Sequence, residues 1–236
     1  MTLRAQRAEC WILHRRPWRE TSVIVDALTR EYGRLALVAR GARGGRSAWH
    51  GLTEPFRPLR ASFSRRGEMG ALTGLESDGP AAGLAGEALW CGFYLNELLV
   101  RLLPRDEPVP ELLDRYAETL TALPESDGRG SRLRRFELAL LAEQGLAPDL
   151  ATEAESGAPL YPDGLYALDS QEGPRRAADD HPGAWPGRAF LALATGDIPD
   201  RECARQTREI MRRLLSFHLG DRPLYTPELM RSGYRK

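Results

Sequence analysis

From Glu9 to Ser77 apolar and polar residues alternate in short runs separated by turn formers. ECWILH (9–14) leads into a polar RRPWRE turn, and TSVIVDALT (21–29) opens with the β-branched residues that suit a buried strand. REYG forms the next turn, where Gly33 is free to take a positive φ. RLALVAR (34–40) alternates cleanly, so Leu35, Leu37 and Ala39 share one face and Arg34, Ala36, Val38 and Arg40 the other. PFRPLRASFS (55–64) and EMGALTGLES (68–77), parted by RRG, complete five predicted strands. Five short antiparallel strands remove their exposed edges by curling into a partly closed barrel, and the OB-fold is the common five-stranded solution.

The period changes at Ala81. Ala81–Leu103 carries Leu84, Leu89, Tyr94, Leu95, Leu98, Leu99 and Leu102 densely enough for a helix buried on several sides. PRDEPVP stops it, and Pro110 is placed to start PELLDRYAETLTAL, whose stripe is Leu113, Tyr116, Leu120 and Leu123. Ser131 is the expected N-cap of SRLRRFELALLAEQG, which Gly145 ends. Residues 150–187 are polar and rich in Gly, Pro and Asp, with LYPDGLYAL turning at Asp163–Gly164, and read as a largely mobile insertion. Helices resume over Trp185–Thr195 and Pro199–Leu219, the latter making apolar contacts through Ile210, Leu214, Leu215 and Phe217. The expected fold is α+β and multidomain: an N-terminal five-stranded OB-fold barrel (1–79), then an α-helical C-terminal domain (80–236) with a polar insertion near 150–185.

Composition places the 236-residue chain among ordinary globular proteins, with 42% hydrophobic and 28% charged residues. The richest apolar run, Ala88–Leu103, is interrupted by Asn96, Glu97 and Arg101, and MTLRAQRAEC lacks the apolar core of a secretory signal, so no membrane association and a cytoplasmic location are expected. A net charge of zero hides a division. Residues 1–75 carry 14 Arg against 6 acids, and the remainder carries 19 basic residues against 27 acids. A molecule polarised in this way invites two partners of different character.

The basic half concentrates its arginines where a polyanion could be gripped. VARGARGGRSAWHG (38–51) places Arg40, Arg43, Arg46, Trp49 and His50 in the loop after the third strand, with Arg34 just upstream and Arg15, Arg16 and Trp18 in the first turn. Arginines follow phosphates and flat indoles stack on bases, so this mixture suits sequence-tolerant nucleic-acid binding. The competing readings are a solvated surface loop, an RNA site, and an adaptor surface for an acidic protein. GARGGRSAW fits no phosphate-cradling nucleotide motif. Trp11 and Phe63 fall at alternating strand positions and read as core. In the helical half Arg134 shares a face with Leu138 and Leu141; beside Leu113 and Tyr116 it could hold an acidic peptide, the alternative being an intramolecular salt bridge.

Neither catalysis nor metal binding is indicated. Cys10, Cys91 and Cys203 are scattered without zinc spacing, and the four histidines stand in unrelated contexts. No carboxylate pairs suit metal-assisted phosphoryl chemistry. No enzyme, metal or cofactor is expected.

ILHRRPWRETSVIVDALTREYGRLALVARGARG (12–44) resembles the N-terminal signature of the bacterial RecO family of recombination mediators. LTEPFRPLRASFSRRGEMGALTGLE, YLNELLVRLL, LRRFELALLAEQG and HLGDRPLYTPELMR extend the resemblance over nearly the whole chain. It implies an OB-fold on a helical domain and a non-enzymatic, nucleoid-associated role in DNA repair. That role comprises binding and annealing single- and double-stranded DNA and, with RecR, helping load RecA onto DNA coated with SSB. It also implies capture of the SSB C-terminal tail in the helical domain, with Arg134 of LRRFELALL as the matching rim residue. Many members hold a four-cysteine zinc site in the stretch matching 150–185, which has no cysteine here.

Overall fold

A computed structural model describes residues 2–44, 47, 49, 51–178 and 181–226. Packing separates two compact units, one formed by Met1–Pro124 with Leu224–Lys236 and the other by Glu125–Pro223.

In unit one, strands β1 (Leu3–Trp18), β2 (Ser22–Thr29), β3 (Gly33–Ala39), β4 (Pro58–Arg65) and β5 (Met69–Ser77) close a barrel in the order β1-β2-β3-β5-β4. β1 is antiparallel to both β2 and β4, and β3 runs parallel to β5. This is an OB-like barrel. The alternation seen in RLALVAR points Leu35, Leu37 and Ala39 into a core shared with Ile12, Val25, Leu59 and Phe63. Each large side chain buried there contributes about 1.5–3 kcal/mol.

β1 is longer than the alternation predicts. RRPW is strand, not turn: Arg15, Arg16 and Trp18 pair with Val25, Ile24 and Ser22, and the turn is Arg19–Thr21. Pairing of β1 with β4 stops at Trp11, so Arg15–Trp18 line an open edge. An edge tolerates proline and carries polar side chains, which is why this segment imitates a turn.

A register slip between Ile12 and His14 leaves the Leu13 carbonyl out of the β1–β2 ladder. Two helices meet it, α1 (Gly86–Leu102) and α2 (Pro110–Ala122). Asn96 of α1 donates from Nδ2 to the Leu13 oxygen at 2.7 Å, and Tyr116 of α2 donates its hydroxyl to Asn96 Oδ1 at 2.6 Å. Tyr116 also receives Trp11 edge-on at 5.5 Å. Trp11 is therefore buried, as its strand position predicts, and packs against α2 rather than in the cluster inside the barrel. Pro110 begins α2 as expected, whereas α1 starts at Gly86 rather than Ala81, after Gly83 in a left-handed conformation and Ala85 in an extended one.

The α1–α2 loop is fastened to the β2–β3 turn. Gly33 has φ +64, and a Cβ there would lie 2.1 Å from the Glu107 carbonyl oxygen, so only glycine fits. At the end of the described chain, Glu97 of α1 accepts from the Tyr225 amide at 2.7 Å and the Thr226 amide at 2.9 Å.

Unit two contains α3 (Arg129–Glu143), β6 (Leu165–Asp169), β7 (Gly173–Arg176), β8 (Ala184–Pro186), α4 (Gly187–Thr195) and α5 (Arg201–Leu219). α3 is capped by Gly128 in a left-handed conformation, one turn earlier than the expected Ser131. The expected mobile insertion is instead a three-stranded sheet in the order β7-β6-β8. Its hairpin turns at Ser170–Glu172, where the Asp169 carboxylate accepts the Gln171 and Glu172 amides at 2.9 and 3.0 Å. Asp163–Gly164 forms the preceding turn, with the Gly164 amide donating to the Tyr161 carbonyl. Asp149 and Glu153 organise neighbouring turns in the same manner, through Ala151 and Ser156. Hydrogen bonding holds all three carboxyls below their usual range. α5 buries Ile210, Met211, Leu214 and Leu215, but Phe217, expected in that contact, is 51% exposed.

No helix among the described residues is long and apolar enough to cross a membrane.

Candidate nucleic-acid interface

The β1–β2 turn and the β4–β5 turn rise on either side of an open groove of about 920 Å³ on the barrel. Arg4 enters from the start of β1, Arg19 from the first turn, Arg40 from the end of β3, and Arg65 and Arg66 from the end of β4 and the turn after it. Trp18 and Met69 supply exposed apolar surface, at 37% and 42% exposure, and Glu20 is the one acid in the lining. OB-folds use the face of the second and third strands, together with these two loops, for oligonucleotides. Arg66 is steadied by Thr2 Oγ1 at 2.8 Å. Arg65 forms a bidentate pair with Asp106 of the α1–α2 loop, its Nη2 lying 2.8 Å from Oδ2.

A second hollow of about 690 Å³ holds Arg15, Arg16, Arg43 and Trp49. Arg15 meets Glu54 at 2.6 Å, which offsets part of the hollow's charge. Arg43 Nη1 donates to the Arg19 carbonyl at 3.3 Å. Trp49 is half-buried against the barrel core and its indole N–H donates to the Arg40 carbonyl at 2.8 Å. Arg34 is turned away from both grooves. Its guanidinium donates to the Leu103 carbonyl at 2.9 and 3.1 Å and pairs with Asp26, which also receives Arg105 at 3.0 Å. Burial in this cluster lowers the Arg34 pKa. Arg46 and His50 lie outside the described residues.

The structure thus gathers Trp18 and Arg40 into one groove and Arg15, Arg16, Arg43 and Trp49 into the other, and sets Arg34 in the support of the β2–β3 turn. Arg4, Arg19, Arg65 and Arg66 join the first groove without having been singled out from the sequence. They come from three separated segments, and the linear signal was the RR pair in the fourth turn.

The family model described as Recombination protein O N terminal matches residues 1–79, and Recombination protein O C terminal matches residues 84–226. The chain belongs to the RecO family. Curated relatives named DNA repair protein RecO include that of Polynucleobacter asymbioticus, 40% identical over 97% of each chain. That of Alkalilimnicola ehrlichii is 44% identical over 94% of this chain and 89% of its own. That of Azoarcus sp. is 41% identical over 96% of each.

In this RecO-family chain the residues expected to receive an acidic tail are divided between the two units. In unit one, Leu113 and Tyr116 are fully buried. In unit two, Leu141 is fully buried and Leu138 half-buried, while Arg134 grips Glu137, a carboxylate with no exposed surface, through Nε at 2.6 Å and a second bond from Nη2. The RecO resemblance raises the question of zinc in unit two. The donor set there does not fit, because the stretch has no cysteine and the Asp149, Glu153 and Asp169 carboxylates are taken up by turn amides. Among the described residues no group of His, Cys, Asp or Glu could hold a metal ion. Cys10 is buried in the barrel, which pushes its thiol up to about 12 and makes it inert as a nucleophile.

Proposed function

We propose that this chain is a non-enzymatic DNA-repair mediator whose barrel groove tracks the phosphate backbone of DNA. The observation that carries this is the convergence of five arginines and an exposed tryptophan between the two loops an OB-fold uses for oligonucleotides. Family membership supports the finer steps: annealing of strands, cooperation with RecR, and loading of RecA onto SSB-coated DNA. Capture of the SSB tail at Arg134 belongs to the same reading. It requires the tail carboxylates to share or replace Glu137, the partner that holds this guanidinium within unit two.

A salt series with labelled single-stranded DNA tests the groove. Log affinity should fall linearly with log salt, by about 0.7 per neutralised phosphate. Replacing Arg19, Arg40 and Arg66 with Ala should reduce both affinity and slope without shifting the melting temperature. An unchanged slope in the triple variant would remove the assignment. Parallel titrations with RNA and an acidic polypeptide address the competing readings; equal affinity for the polypeptide would favour an adaptor.

A further inference from the structure

Arg65 differs from the other groove arginines in already holding an anion. Asp106 reaches it from the α1–α2 loop as a two-oxygen fork, the geometry in which a phosphate would be held. Arg65 Nε donates in addition to the Gly67 carbonyl, and the residue lines the groove.

The carboxylate is delivered by a braced loop. Asp106 has φ 67, a left-handed conformation that aspartate tolerates better than most residues. Its amide donates to the Arg34 carbonyl at 3.2 Å, the Arg34 guanidinium holds the Leu103 carbonyl, and Arg105 holds Asp26 at 3.0 Å. Gly33 lies directly against Glu107. The loop therefore has four contacts with the barrel that do not involve Arg65. A contact made only to brace the loop would be redundant. Arg65 lines the groove with its side chain 16% exposed, and Asp106, which is outside the lining, is 48% exposed, so water and ligand can reach the carboxylate. Arg65 holds Asp106 below the usual carboxylate range, which keeps the acid charged at neutral pH.

We propose that Asp106 is a tethered substitute for a DNA phosphate, occupying Arg65 until a continuous phosphate chain displaces it. This rests on the groove being the DNA site. A tethered competitor has an effective concentration in the millimolar range, so free phosphate exchanges with it poorly. An oligonucleotide already held at Arg4, Arg19, Arg40 and Arg66 presents its next phosphate at a comparable effective concentration and wins. Asp106 thus makes the groove select chains of phosphates over isolated ones.

The test is Asp106→Asn, which preserves the left-handed backbone and the approximate shape while removing the charge. Binding of labelled oligo(dT) should strengthen about threefold to fivefold at moderate salt, as expected for one exposed ion pair. The salt slope should steepen by about 0.7, because Arg65 now releases a phosphate counterion without taking one up at Asp106. Inorganic phosphate, at matched ionic strength, should compete with oligo(dT) for D106N and not for the unaltered chain. In the Arg65→Gln background Asp106→Asn should change nothing. Equal or weaker binding by D106N, or the same gain with and without Arg65, overturns the proposal and makes Asp106 a brace for the arginine. If the unaltered chain shows no salt-dependent binding, the groove reading falls as well; normal binding with no gain in D106N removes the role of Asp106 alone.

Discussion

Replacing Asn96 with Ala should cost about 3 kcal/mol, although Asn96 touches neither groove. The substitution strands the Leu13 carbonyl, which the bulge has already removed from the strand ladder, and takes from the Tyr116 hydroxyl its 2.6 Å acceptor. Each buried polar group left without a partner costs about 1–3 kcal/mol, and water entering the space left by the amide recovers part of that. Tyr116→Phe strands Asn96 Oδ1 and should cost about 1–2 kcal/mol. Because the Asn96 variant has already lost the Tyr116 contact, the double variant should be no less stable than Asn96→Ala alone. Urea titration followed by tryptophan fluorescence suits the measurement, since Trp11, Trp18, Trp49 and Trp90 all lie in unit one and Trp11 packs on Tyr116. The midpoint should move while the slope stays constant. A loss below about 1 kcal/mol for Asn96→Ala, or strict additivity with Tyr116→Phe, would show that this network does not hold the helices on the barrel.

Four further outcomes are expected. Gly33→Ala must meet the Glu107 backbone and adopt φ +64, so thermal unfolding of unit one should occur several degrees lower. In unit two, Glu153 has its pKa depressed by hydrogen bonds from Ser156, so its contribution is fully present above the unfolded carboxylate value and disappears as pH falls through the lower folded one. Glu153→Gln should therefore lower the melting temperature at pH 7 and have a shrinking effect below about pH 4.5, and a constant difference across that range would refute the assignment. Arg134→Ala should destabilise unit two, because it removes the bidentate partner of the buried Glu137 carboxylate, whereas Glu137→Gln should be milder; circular dichroism melts must accompany any peptide titration with Arg134 variants. Glu97→Ala should speed hydrogen exchange at the amides of Tyr225 and Thr226, which now donate to its carboxylate.

Much of the barrel was legible because alternation is a local signal: Leu35, Leu37 and Ala39 point inward as their spacing requires. RRPW was misread since the exposure of a strand edge and the polarity of a turn produce the same residue types; only the absence of β4 beyond Trp11 distinguishes them. The insertion was misread for a related reason. Its Gly, Pro and Asp content suggests mobility, but Asp149, Glu153 and Asp169 are spent on ordering turns. Half of the candidate site was visible as Trp18, Arg40 and the glycine-rich loop. Arg4, Arg19 and Arg65 became apparent only when β1, the first turn and β4 were brought side by side. Asn96 looked like no more than an interruption in an apolar helix, because the carbonyl it serves lies 83 residues away.

The chain leaves unit one at Pro124 and returns to it at Leu224, so unit two is an insertion within unit one rather than an appendage to it. On a ribosome the barrel, α1 and α2 emerge first and unit two follows. The amides that Glu97 receives come from Tyr225 and Thr226, which follow unit two along the chain. Unit two is thus spanned by a contact that can close only after all of it has been made, and a chain lacking Tyr225 and Thr226 leaves the Glu97 carboxylate of α1 without the two amides it accepts.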